Sequence, residues 1–156
     1  MLTTRRTVGP GVAALLIATV LVGCVPTSGG AAGRLERGLD SAHSAAATAH
    51  LALRQLREGD TVPSDARTVV DDALTSAQEE QRTLGTLDPV DARERSWRAA
   101  ADGAFTALDA ALKDARSAAS GSAGIRWSTA LAELDRAEQR IEQARAVITR
   151  QAGDHA

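Results

Sequence analysis

The chain has 156 residues, with 18 basic and 20 acidic side chains and a formal net charge of −2. This length predicts one domain with a single modest core. The slight acidity offers no electrostatic reason to bind nucleic acid or anionic lipid headgroups. Aromatic residues make up only 2% of the chain, and Ala, the strongest helix former, is abundant. The composition therefore predicts helices with thin, closely packed cores.

The first element in chain order is an N-terminal segment with a positive start and an apolar run. Arg5 and Arg6 supply the charge, and residues 11–22 read GVAALLIATVLV. This order is typical of a secretory signal peptide. The apolar run is too short to cross a bilayer with ~30 Å of hydrocarbon, which needs ~20 residues.

Four residues at the end of this segment resemble the lipobox of bacterial lipoproteins: Leu21, Val22, Gly23 and Cys24. The resemblance covers residues 1–24 only. It implies that residues 1–23 are removed and that the Cys24 thiol carries a covalent diacylglycerol, with no other cofactor. Two acyl chains anchor stably, because each buried CH₂ contributes ~0.8 kcal/mol. We therefore expect a protein that is lipid-anchored at the extracytoplasmic face of the cell membrane.

A short tether is expected to follow the anchor. Residues 24–33 read CVPTSGGAAG, a small and flexible sequence. Residues 4–8, TRRTV, also resemble a twin-arginine signal, so general secretory and twin-arginine export both stay open. Cleavage would remove Arg5 and Arg6 and shift the formal charge from −2 to −4. Cys24 is the only Cys, which leaves no intramolecular disulfide.

Residues 34–152 are predicted to form four helices, at about 34–58, 64–84, 89–119 and 125–151. The first carries apolar residues at heptad spacing: Leu35, Leu39, Ala42, Ala46, Ala49, Leu53 and Leu56. Gly59 suits a left-handed cap at its end. The second is expected to start after Pro63 with Ser64 as N-cap, and its seam holds Val70, Leu74, Ala77, Gln81 and Leu84.

The third predicted helix has Asp88 as N-cap and Pro89 as its first residue. Its stripe is Trp97, Ala101, Phe105, Leu108, Leu112, Ala115 and Ala119. The stripe of the fourth is Trp127, Ala130, Leu134, Ala137, Ile141, Ala144 and Ile148. Four amphipathic helices joined by short loops predict an all-α, antiparallel up-down four-helix bundle, with residues 153–156 as a tail. In this bundle Trp97 and Trp127 lie at opposite ends.

The chain offers little chemistry. His43 and His50 stand seven residues apart, a rise of ~10.5 Å, which is too far for both to hold one metal ion at ~2 Å. No Glu-x-x-His, Gly-x-Ser-x-Gly or phosphate-loop motif occurs. The acidic pairs at 71–72 and 79–80 are interpreted as a solvated helix face. We therefore predict no metal site and no catalytic residue.

Several functions stay open at this point. The leading hypothesis is a non-enzymatic bundle that binds or organises an envelope partner, with self-association through the heptad seams as a variant. The alternative is a small-molecule sensor or carrier, with an apolar cavity beside Trp97, Phe105 and Trp127. An envelope hydrolase is a further alternative, although the sequence contains no recognisable set of catalytic residues.

Overall fold

A computed structural model describes residues 30–121 and 126–153. This part of the chain is 88% helical, with four helices and no strand, which confirms the all-α prediction. The helices are α1 (Ala31–Glu58), α2 (Pro63–Gly85), α3 (Ala92–Ala119) and α4 (Trp127–Gly153). The predicted signal peptide and most of the predicted tether lie outside the described residues.

The four helices form an antiparallel up-down-up-down bundle. Each helix packs against the next one in the chain, α4 packs against α1, and α1 also contacts α3 across the bundle. Cross-helix pairs show the directions: Thr149 near the end of α4 bonds Glu36 near the start of α1, and His50 faces Asp135. Because the loops are short, each helix has to reverse direction relative to its predecessor.

One face of each helix builds a core that runs the length of the bundle. Its largest fully buried side chains are Leu35, Leu39, Leu53, Val70, Phe105, Leu108, Leu112, Leu134, Ile141 and Ile148. All ten belong to the predicted heptad stripes, so the assignment of core-facing positions is confirmed. Across the described ranges, no polar or charged side chain is buried.

The buried surface is wider than the heptad stripes alone. Eight alanines outside the stripes are also buried: Ala32, Ala45, Ala52, Ala66, Ala73, Ala104, Ala111 and Ala118. Their small side chains let neighbouring helices approach closely, and this removes a second row of positions from solvent. Three predicted stripe members, Leu56, Gln81 and Trp127, are only half-buried.

The start of α3 differs from the prediction. The helix begins at Ala92 with Asp91 as its N-cap, three residues after the predicted first residue Pro89. Asp91 Oδ1 accepts the Glu94 N–H at 2.7 Å, and Glu94 Oε2 accepts the Val90 N–H at 2.9 Å. This reciprocal capping gives side-chain acceptors to the backbone N–H groups of Val90 and Glu94.

The start of α2 also differs from the prediction. Val62 is the N-cap and Pro63 is the first helical residue, whereas Ser64 was predicted as the cap. Proline suits this first position because its missing N–H would have no partner there in any case. The Ser64 hydroxyl instead donates to Asp65 Oδ1 at 3.1 Å.

The start of α1 takes in three residues that were predicted to be tether. The helix begins at Ala31, and Ala32 and Gly33 are buried against the bundle. Ala has a high helix propensity, and burial of these two residues stabilises the helical conformation further. For both reasons α1 begins earlier in the chain than predicted. At the other end, Gly59 adopts a left-handed conformation with φ 84°. The predicted glycine cap of α1 is therefore confirmed.

The bundle has two distinct ends. The tether end holds the start of α1, the end of α2, the loop 86–91, the start of α3 and the end of α4. The distal end holds the loop 59–62 and the start of α4. A helix of this length rises ~40 Å, so the two ends are separated by roughly that distance.

Candidate interaction surfaces

The proposed lipid site is close in sequence to the bundle. Cys24 and the lipobox residues Leu21, Val22 and Gly23 lie outside the described residues, and α1 begins at Ala31. Seven Cα steps therefore separate Cys24 from α1. Fully extended chain covers at most ~3.6 Å per residue, or roughly 25 Å here. A lipid on Cys24 would keep the tether end within that distance of a membrane surface.

The three aromatic residues are spread along the bundle. Trp97 is buried at the tether end, Phe105 is fully buried about two turns further along α3, and Trp127 is half-buried at the distal end. At 1.5 Å per residue, Trp97 and Trp127 are separated by roughly 35 Å along the bundle axis. The structure therefore does not bring these three side chains together around one cavity.

Shallow clefts lie between neighbouring helices. A cleft of about 440 Å³ between α1 and α2 is lined by Ser41, Ser44, Ala45, Thr48, Val69, Asp72, Ala73 and Ser76. Clefts of about 230 and 390 Å³ between α3 and α4 share Gly103 and Arg140. None of these three clefts is lined by an aromatic residue, and their walls are mostly small or polar side chains.

The two helical histidines face acids on α4. His50 Nε2 lies 3.3 Å from Asp135 Oδ1, and His43 Nδ1 lies 3.7 Å from Glu142 Oε1. Both imidazoles are partly exposed. The sequence did not reveal these acid partners, because the pairing depends on how α1 and α4 align.

The described ranges contain no group of three or more His, Cys, Asp and Glu side chains that could hold a metal ion. A metal would need ligands converging from several positions. His43 and His50 instead each face a single carboxylate across the same pair of helices. Their arrangement is that of surface pairs between α1 and α4.

The acids of the predicted acidic face of α2 have different surroundings: one makes ion pairs, and others are exposed to solvent. Asp71 Oδ1 lies 2.8 Å from Arg116 Nε on α3, and Asp71 Oδ2 lies 3.6 Å from Arg67 on its own helix. Asp72 and Glu79 are exposed. Asp71 therefore connects two helices, a role that α2 alone could not reveal.

Asp109 lies in a second polar contact between α2 and α3. Its carboxylate accepts hydrogen bonds from Gln78 Nε2 at 2.9 Å and from Lys113 Nζ at 2.5 Å. Burial raises the pKa of Asp109, but the hydrogen bonds from Lys113 and Gln78 outweigh it and bring the pKa below the ordinary 3.8. Asp109 therefore remains ionised at neutral pH and helps align the two helices.

Arg98 holds the loop between α2 and α3. Its guanidinium donates to the carbonyl oxygens of Leu87 and of Gly85, the latter at 2.9 Å, and its Nε lies 3.7 Å from Asp102 Oδ2. These contacts fix the path of residues 86–91 at the tether end. The heptad pattern contains no signal for this contact, because Arg98 lies beside the apolar stripe of α3.

The fold and these contacts define an antiparallel four-helix bundle with polar pairing between its helices. In the described ranges, no helix is long and apolar enough to cross a membrane. Comparison with protein-family models, with curated proteins and with solved structures finds no match.

Proposed function

We propose that this protein is an exported lipoprotein whose helical bundle binds or organises another component of the cell envelope. Cleavage after Gly23 leaves lipid-bearing Cys24 as the first residue, at the extracytoplasmic face of the membrane. The observation that carries the proposal is the short interval between this lipobox-like Cys and the bundle, which begins at Ala31. Such spacing suits a domain that works close to a membrane surface.

The bundle supports a binding role better than a catalytic one. Its buried side chains are apolar throughout the described ranges. The acids discussed above serve as a helix cap at Asp91, or as cross-helix contacts at Asp71 and Asp109. A hydrolase would need acids or nucleophiles that converge in a cleft that partly excludes water. A bundle of this kind instead offers helix faces to a partner.

Acylation is tested on the full chain expressed in a bacterium that processes lipoproteins. Mass spectrometry should find a first residue at position 24 that carries diacylglycerol, and the protein should partition into the detergent phase. Cys24→Ala should abolish the lipid mass and leave the signal peptide uncleaved. An unmodified, intact N-terminus on wild-type protein in the cytosolic fraction would overturn the anchor.

Partner binding is tested separately on intact envelopes. A photo-crosslinker at exposed Gln55, near the distal end, should capture a protein in a saturable manner, and excess uncrosslinked protein should compete. The same probe at exposed Gln139, midway along α4, serves as a positional control. Crosslinks that do not saturate, or the absence of any adduct at either site, would contradict this part of the proposal.

A further inference from the structure

Charge is distributed unevenly along the bundle. The tether end, taken as residues 30–38, 80–98 and 147–153, holds seven arginines and five acids, a formal charge of +2. The rest of the described chain holds nine basic and 14 acidic residues, a formal charge of −5. Within the described residues, a basic end and an acidic remainder therefore sum to a net charge of −3, and the basic end lies next to the proposed lipid anchor.

Most arginines at this end are available to an outside partner. Six of them are exposed and have no ion pair or side-chain hydrogen bond within the described part of the chain: Arg34, Arg37, Arg82, Arg93, Arg95 and Arg150. Several acids of the same end already have local contacts. Asp91 and Glu94 cap α3, and Glu36 accepts a hydrogen bond from Thr149. These donors are uncharged, so the three carboxylates keep their negative charge and the formal charge of this end stays at +2.

An exposed apolar side chain lies at the same end of the bundle as these arginines. Val90, in the loop 86–91, is 84% exposed and is the most exposed of the large hydrophobic residues in the described ranges. Arg98 holds this loop in place through the carbonyls of Gly85 and Leu87. The charged residues nearest Val90 in sequence are mixed: the acids Asp88, Asp91 and Glu94, and the cations Arg93 and Arg95. An exposed apolar side chain at an end of the bundle that is basic in total favours contact with a lipid headgroup region.

We propose that the tether end of the bundle docks on anionic phospholipid headgroups, with the exposed arginines facing the phosphates and Val90 entering the interface. The inference rests on the proposed anchor, which keeps this end within roughly 25 Å of the bilayer. Screening allows attraction over ~8 Å at physiological ionic strength. The tether has enough reach to bring the arginines that close. Docking would direct the distal end away from the membrane.

The test places a polarity-sensitive fluorophore on the Val90→Cys variant of the acylated full chain. Because acylation blocks Cys24, the introduced thiol is the only free one. The chain is reconstituted into phosphatidylcholine vesicles with or without phosphatidylglycerol. With the anionic lipid at low salt, emission should shift to the blue and a lipid-borne quencher should quench it. Both effects should disappear at high salt. A label on Gln55→Cys, at the distal end, should not respond.

A matched pair of triple variants tests the arginines themselves. Arg93→Gln, Arg95→Gln and Arg150→Gln together remove three cations from the tether end. Each arginine near an anionic surface contributes about fivefold in binding, so removing three should lower the equilibrium constant for headgroup docking by roughly 100-fold. The control variant removes the same charge from the distal half: Arg54→Gln, Arg57→Gln and Arg126→Gln. Circular dichroism should show that both variants remain helical.

The outcomes separate this inference from the anchor. Equal fluorescence at position 90 with and without anionic lipid, or equal responses of the two triple variants, would overturn the docking. The anchor is measured separately, by whether the protein floats together with neutral vesicles in a density gradient. A protein that does not float with neutral vesicles would have no anchor. Salt-sensitive flotation on anionic vesicles alone would then support the docking while contradicting the anchor.

Discussion

Trp97 on α3 donates its indole Nε1–H to Oε1 of Gln151 on α4, at 2.7 Å and across 54 positions of sequence. The bond joins the start of one helix to the end of its antiparallel neighbour. It also gives a partner to the one polar group of a side chain that is only 6% exposed. This contact closes the core at the tether end.

Gln151→Leu should destabilise the bundle by about 1–3 kcal/mol, because the buried indole N–H would lose its acceptor. The free energy of unfolding is obtained from urea titration followed by circular dichroism. Gln139→Leu, at an exposed position on the same helix, is the control and should change stability by less than about 0.5 kcal/mol. Similar losses in both variants would mean that the hydrogen bond contributes nothing specific.

Gly38→Ala should destabilise the bundle although it raises helix propensity. An added Cβ would lie 2.7 Å from Leu84 Cδ1 and 3.1 Å from Glu80 Oε1. Leu84 is buried and cannot move aside freely. Overpacking costs about 1–3 kcal/mol, which exceeds the gain of up to about 1 kcal/mol from replacing glycine in a helix.

Gly103→Ala is the matched control for this steric argument. Gly103 also lies inside a helix, but a Cβ added there would meet no neighbouring atom within 4 Å. The substitution should therefore stabilise the bundle by about 0.5–1 kcal/mol. Thermal unfolding should thus move in opposite directions for the two variants, and a shift in the same direction would refute close packing at Gly38.

Arg98→Met should loosen the loop between α2 and α3, because it removes the donors to the carbonyls of Gly85 and Leu87. Hydrogen exchange of the amides in residues 86–91 should accelerate, while amides in the middle of α3 should keep their protection. Arg95→Met, which removes an exposed arginine of the same helix, is the control. Equal exchange in both variants would show that Arg98 does not hold the loop.

Acid should weaken the contact made by Asp109. Its pKa is lowered in the folded protein, so its stabilising contribution is present above the ordinary value of 3.8 and is lost as the pH falls through the lower folded value. The stability difference between wild type and Asp109→Asn should therefore be larger at about pH 6 than at about pH 2.5. Urea titrations at the two pH values measure it, and a pH-independent difference would contradict this linkage.

Much of the fold could be predicted because heptad spacing survives along each helix. The buried positions Leu39, Phe105 and Ile141 follow from periodicity alone, since a side chain at heptad spacing returns to the same face. Helix starts were predicted less well. Pro89 carries a strong start signal, but the reciprocal cap of Asp91 and Glu94 determines where α3 begins. Competing local signals differ by too little energy for sequence patterns to rank them.

The candidate surfaces could not be predicted in the same way. The contacts of Asp71 with Arg116 and of His50 with Asp135 depend on the alignment of separate helices. The basic tether end combines residues from all four helices. The net charge of the chain sums basic and acidic regions, so it does not show that one end of the bundle is basic.

The sequence by itself determined that four amphipathic helices form and which face of each is apolar, because helical periodicity is a local property of the chain. Only the tertiary structure decided which charges share an end, where Trp97 finds its acceptor and why Gly38 has no room for a methyl group. These relationships depend on how helices that are distant in sequence align when they pack. The local sequence of one helix does not determine that alignment.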